Sequence, residues 1–116
     1  MCIRDSGETV TFADAVFNVG RTALLVAALA SCDIGALRTA TEDRLHQDAR
    51  FARSLPSHEA LLAALRAGAW CGWLSGSGPS VAALCDPDEA ERIVAAYPDG
   101  ASVKVLTVDQ PGATVI

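Results

Sequence analysis

Two groups of residues in this sequence have the types and spacing that chemistry needs. The first is Ser75-Gly76-Ser77-Gly78-Pro79-Ser80, set between two apolar runs. Two glycines in three residues admit backbone angles closed to other residues and let a ligand come close to the main chain. The serines add hydroxyls, and successive N–H groups in such a turn can build an anion-binding nest. Pro79 restricts Gly78 and stiffens the exit. The competing reading is a tight connection between two buried strands. Three familiar motifs are excluded. No Lys follows the glycines as a Walker loop requires, and Val81 stands where a dinucleotide fingerprint needs its third glycine. Ser77 has Ser75 and Pro79 two positions either side, not the glycines of a nucleophile elbow.

The second group is Arg44, His46, Arg50 and Arg53, spread among Glu42, Asp43 and Asp48. An arginine in a loop offers a planar fork that matches a carboxylate or a phosphate. The plainer alternative is a solvated charged face with pairs one helical turn apart. His46 reads more simply as a surface histidine than as a catalyst. No base–nucleophile pair and no complete phosphate cradle is visible, so the chain does not read as a self-sufficient active site.

The elements that must position these residues follow from periodicity and capping. Ala13 to Ala30 reads as a helix whose apolar face is wide enough to be largely buried. Asp33 caps a second helix reaching about Gln47, with Arg50 just past its end. A third starts at Ser57 after Pro56, carries Leu61, Leu62 and Leu65 as its stripe, and stops at Gly68. From Ala69 the period changes to that of a strand, which runs into the glycine loop. Ser80 to Cys85 makes a second strand. Asp86-Pro87-Asp88-Glu89 is a strong helix start, and that helix ends near Tyr97. Ser102 to Val108 is a third strand, and Ala113 to Ile116 a short fourth. Helices followed by strands predict an α+β domain, with helices packed on one face of a mainly antiparallel sheet.

Composition limits the functions open to such a domain. With 116 residues, of which 51% are hydrophobic and 20% charged, the chain is one globular domain. Nine basic against fourteen acidic residues give a net charge of -5, which disfavours nucleic-acid binding. Lys104 is the single lysine, so a polybasic membrane patch is absent. The run Ala23 to Ala30 is far short of the roughly 20 apolar residues of a membrane span. Cys2, Cys32, Cys71 and Cys85 lie far apart with no Cys-x-x-Cys pair, which reads as free thiols in a reducing cytoplasm and argues against structural zinc.

Three segments together resemble the C-terminal domain of homoserine kinases, a family of the GHMP kinase superfamily with a ferredoxin-like fold. They are Asp14-Ala15-Val16-Phe17-Asn18-Val19-Gly20-Arg21, then Thr41-Glu42-Asp43-Arg44-Leu45-His46-Gln47, then Leu74 to Val81 through the glycine loop. The glycine motif is shared across GHMP kinases; Glu42 to Gln47 followed by Arg50 narrows the resemblance to homoserine kinases. Mevalonate and galactose kinases offer no match to that segment. In one departure, Asp48 and Ala49 stand where the family usually has Pro and an aromatic or His.

The resemblance implies an enzyme that passes the γ-phosphate of ATP, with Mg²⁺, to the hydroxyl of L-homoserine, giving O-phosphohomoserine on the way to threonine. It implies that Arg50 pairs with the amino-acid carboxylate and that Gly76, Ser77 and Gly78 line the substrate pocket. The family's phosphate loop at a helix N-terminus is not in this sequence. Residues 7–116 are therefore expected to be a C-terminal domain lacking its ATP-binding partner and inactive alone. Residues 1–6 are expected to be a non-native leader. The rival is a stand-alone α+β module for amino-acid binding or dimerisation; uncovered apolar faces would support homodimerisation under either reading.

Overall fold

The computed structural model describes residues 9–109, 111, 112 and 114. The expected leader therefore lies outside the described residues, as does most of the expected fourth strand. Five helices and one hairpin follow in order: α1 Phe12–Ser31, α2 Ile34–Ala40, α3 Gln47–Phe51, α4 Leu55–Arg66, β1 Cys71–Leu74, β2 Val81–Leu84 and α5 Ala90–Ala95. The strands pair antiparallel, with Cys71 opposite Leu84 and Leu74 opposite Val81. The architecture is α+β.

Local signals set most boundaries. Thr11 caps α1 by accepting from Asp14 N, and Asp33 caps α2 by accepting from Ala36 N. Gly68, at φ 104°, follows the end of α4. Asp86 accepts from Asp88 N and opens a short 3₁₀ turn, Pro87–Glu89, that leads into α5. Glu89 pairs with Arg92 at 2.6 Å.

Helix α4 packs on both strands. Leu61 of α4, Phe51 of α3 and Leu74 of β1 form one buried cluster under the hairpin. Ala28, Leu37 and Cys71 form a second, and Ala64, Ala69 and Ile93 a third. At Gly72 the helix comes so close that an added Cβ would meet Leu61 Cδ1 at 2.6 Å and the Ala82 carbonyl at 2.9 Å. The backbone contact cannot rotate away, so Gly72→Ala is expected to destabilise the chain by about 1–3 kcal/mol, read from urea unfolding. Cys32 holds the left-handed position after α1 at φ 56°. Glycine bears no Cβ penalty there, so Cys32→Gly is expected to raise stability by about 0.5–1 kcal/mol in the same assay.

Four expectations need correction. Helix α1 is not largely buried: Ala28 is its one buried residue, while Val16, Val19, Val26 and Leu29 are exposed. The helix packs chiefly against α2, with Leu25 and Ala28 reaching the cluster around Leu37 and Cys71. By length and composition α1 would reach across a bilayer, which the shorter run Ala23 to Ala30 did not convey. Asn18 and Arg21, however, hydrogen-bond from its side to the 41–46 segment, contacts unsuited to a lipid-facing helix.

The second helix ends at Ala40, not near Gln47, because the Asp43 carboxylate captures backbone N–H groups that a continuing helix would use. Arg50 consequently stands inside α3 rather than past a helix end. Residues 102–108 form no strand. They lie across a cavity of about 1030 Å³ from β2, too far for a ladder to close. The described order is thus α-α-α-α-β-β-α. Among the described cysteines, Cys32, Cys71 and Cys85 are free. Burial pushes the Cys71 thiol up, although the Leu84 N–H, Thr41 and Arg38 partly offset it.

Candidate functional site

Residues 75–80 form the tip of the β1–β2 hairpin. Ser75 N donates to Ser80 O at 2.8 Å and closes it, and Gly78 N donates to Ser75 O at 3.4 Å. Gly76 and Gly78 both take positive φ, 66° and 85°, and the Gly78–Pro79 peptide is cis. A side chain at Gly76 or Gly78 would be strained by those angles. Above Gly76 a Cβ would meet nothing within 4 Å, so the main chain is open to approach from that side.

Arg50 reaches this loop from α3. Its Nη1 donates to Gly76 O at 2.8 Å. Arg50, Arg53, Ser54, Ser77, Gly78 and Pro79 line a pocket of about 290 Å³. The four residues singled out from the sequence (Arg50, Gly76, Ser77 and Gly78) are therefore neighbours, although 26 positions separate Arg50 from Gly76. Arg53 and Ser54 join them; sequence reasoning had counted Arg53 in the charged cluster and had passed over Ser54.

Arg44 belongs elsewhere. Its guanidinium lies 3.8 Å over the Phe17 ring, and Arg21 stacks 4.3 Å from the same ring while pairing with Glu42 at 2.8 Å. The Arg44-to-Arg53 cluster thus divides: the first arginine ties the 41–46 segment to α1, and the last two face the pocket. His46 stands before α3 at the surface, and Asp48 is exposed in the first turn of α3.

Four side chains that positional reasoning missed hold the site. Asp43 accepts backbone N–H groups from Leu45 at 3.2 Å and from His46 and Gln47 at 2.6 Å each. Asn18 of α1 donates to the same carboxylate, and its carbonyl accepts from Arg44 N at 3.0 Å. Burial alone would raise the Asp43 carboxyl, but the hydrogen bonds from Gln47, Asn18, His46 and Leu45 outweigh it and hold it below the usual carboxylate range. Gln47, at the start of α3, accepts from Leu74 N through Oε1 at 2.8 Å and donates through Nε2 to Thr41 O at 3.3 Å. It is the strut that ties the helix of Arg50 to the strand entering the glycine loop. On the far side, buried Ser57 donates to Pro79 O at 2.7 Å and lies 2.6 Å from Ser54 Oγ. An aspartate followed by acceptable N–H groups two to four residues on was a readable turn signal; nothing local marked Asn18, Gln47 or Ser57.

The pocket pairs two guanidinium-bearing residues with a hydroxyl and the open main chain of a glycine turn, an arrangement that suits a carboxylate or other small anion. Among the described residues no group of three His, Cys, Asp or Glu side chains converges on a point.

Residues 25–102 match the family model described as GHMP kinases C terminal. The chain is 46% identical over 88 residues to a homoserine kinase of Caldanaerobacter subterraneus, covering 75% of this chain and 28% of that protein. It is 40% identical over 115 residues to one of Desulfitobacterium hafniense, covering 93% of this chain and 39% of that protein. A solved structure, the homoserine kinase of Cytophaga hutchinsonii, superposes with a TM-score of 0.75 at 28% identity, over 81% of this chain and 30% of that one. The chain therefore spans about a third of the length of the relatives it matches.

Proposed function

This chain belongs to the GHMP kinase family, matching its C-terminal domain over most of its length, and from that premise we propose that it is the acceptor-side part of a homoserine kinase. The parent protein transfers the γ-phosphate of ATP to the hydroxyl of L-homoserine and releases O-phosphohomoserine, a step of threonine biosynthesis in the cytoplasm. The observation that carries the reading is the docking of Arg50 on the glycine loop, beside Ser77 and Arg53, in a chain whose relatives are homoserine kinases.

Within this reading Arg50 holds the amino-acid carboxylate, and Gly76, Ser77 and Gly78 shape the pocket around the substrate. Holding a carboxylate at one end fixes where the hydroxyl at the other end lies, so phosphoryl transfer gains from positioning. Asp43, Asn18 and Gln47 act at one remove by aiming α3. Magnesium in such a reaction is held by one or two carboxylates together with the nucleotide's phosphates. No phosphate loop occurs in the sequence. The triphosphate and its metal are accordingly assigned to residues outside this chain. Nucleic acid and membrane have no part in the proposal, and homodimerisation through exposed α1 is compatible with it. The rival amino-acid-sensing module is not favoured by any of the relatives matched.

The test is direct. A longer version of the protein carrying the phosphate loop is expected to form O-phosphohomoserine from ATP and homoserine, while the present chain forms none. ATP consumption by the present chain with homoserine, or preference of the longer version for another alcohol, would overturn the proposal.

A further inference from the structure

The glycine loop is held at two carbonyls, by side chains from two different helices. Arg50 of α3 donates through Nη1 to Gly76 O at 2.8 Å, and Ser57 of α4 donates through Oγ to Pro79 O at 2.7 Å. Ser77 and Gly78, which lie between those carbonyls, line the small pocket beside Arg50 and Arg53. Ser57 is 3% exposed and is the one buried polar residue among those described. Its hydroxyl has a single proton to give. That proton goes to Pro79 O, so in the 2.6 Å contact between the two serine hydroxyls Ser54 is the donor. The hydrogen bonds therefore run one way, from Ser54 to Ser57 to Pro79 O.

A local rule is set aside to build this row. Ser54 is the N-cap of α4, where a serine ordinarily accepts a backbone N–H, yet its side chain caps none. Exceptions of that kind collect at functional sites. The hold on the loop also needs a second point besides Arg50. Within the homoserine kinase reading, on which this inference rests, the Arg50 guanidinium answers to a substrate carboxylate as well as to Gly76 O. Ser57 is not among the residues lining that pocket, so its grip on Pro79 O does not depend on what the pocket contains. We propose that Ser57 is a positioning residue for substrate binding: its hydroxyl fixes the exit of the glycine loop and thereby the placement of Ser77 and Gly78 against Arg50. It touches no substrate itself and acts through the Pro79 carbonyl.

Amide hydrogen exchange on the present chain and kinetics of the longer version carrying the phosphate loop test the proposal together. Ser57→Ala places a good helix former at a buried helical site, so the fold is retained. The Ser75 and Gly78 amides, which bond to Ser80 O and Ser75 O, are expected to exchange at least about tenfold faster in that variant, with those of α4 unchanged. Ser57→Thr restores a hydroxyl and should return them towards wild type. Ser54→Ala removes the upstream donor but not the bond to Pro79, and should move them less than about threefold. In the longer version Ser57→Ala is expected to raise the KM for homoserine about 3- to 10-fold, the loss of one neutral hydrogen bond. Both kcat and the KM for ATP should change by no more than about twofold, and Ser57→Thr should recover most of the loss. Unchanged loop exchange, faster exchange with an unchanged KM, an equal rise in both KM values, or loosening by Ser54→Ala as great as by Ser57→Ala would overturn the assignment. Should the longer version act on another alcohol, the proposed function falls, and the exchange of Ser75 and Gly78 still decides whether Ser57 holds the loop.

Discussion

Replacing Arg50 with alanine is expected to raise the KM for homoserine in the proposed kinase by about 10- to 150-fold, leaving the KM for ATP and kcat nearly unchanged. The magnitude is that of hydrogen bonds to a charged group, about 1.5–3 kcal/mol. The direction follows from placement: Arg50 touches the glycine loop through Gly76 O and lines the small pocket with Ser77 and Gly78. A carboxylate bound equally in ground and transition states contributes to KM rather than kcat. Arg50→Lys keeps the charge but loses the fork, so it should recover part of the affinity. An equal rise in both KM values would show that the variant merely loosens the loop, and would remove the assigned role.

The second large effect concerns stability. Asp43→Ala strips acceptors from Leu45 N, His46 N and Gln47 N and from the Asn18 amide. Each is charge-assisted but partly open to water, so the combined loss is put at about 2–4 kcal/mol. For a domain of this size that lowers the melting temperature by about 10 °C or more. Asp43→Asn should fall between, because its N–H₂ end faces donors. The pH dependence has a definite sign. The Asp43 carboxyl sits lower in the folded than in the unfolded chain, so the anion favours folding. That contribution is complete above the unfolded carboxylate pKa of about 4 and is lost as pH falls from there through the folded value. Melting temperatures of wild type and Asp43→Ala should therefore converge towards the acid end. A constant gap across that range would contradict the role given to the charge.

Gln47 shows why the same region was only partly legible. Its amide binds both Thr41 O and Leu74 N, the second of them 27 positions from Gln47 in sequence. Capping and apolar periodicity assigned it to the last turn of a long helix. The helix stops instead at Ala40 because Asp43 satisfies three N–H groups better than a continuing helix would. Arg44 was grouped with Arg50 on spacing, yet it lies against Phe17 of α1. Spacing measures distance along the chain; it does not say which neighbour a long side chain reaches after the chain has turned.

Short-range chemistry decided a great deal without help. The caps at Asp33 and Asp86, the stop at Gly68, the hairpin around Gly76 and Gly78, and an α+β order of elements all follow from φ preferences and from acceptors within a few residues. These are interactions that a linear pattern contains in full. Three matters belonged to the tertiary structure: the meeting of Arg50 with the Gly76 carbonyl, the exposure of α1, and the separation of residues 102–108 from β2. Each depends on what is packed alongside. An apolar face shows that burial is favourable but not what provides it, and a strand-like segment needs a partner edge within hydrogen-bonding reach.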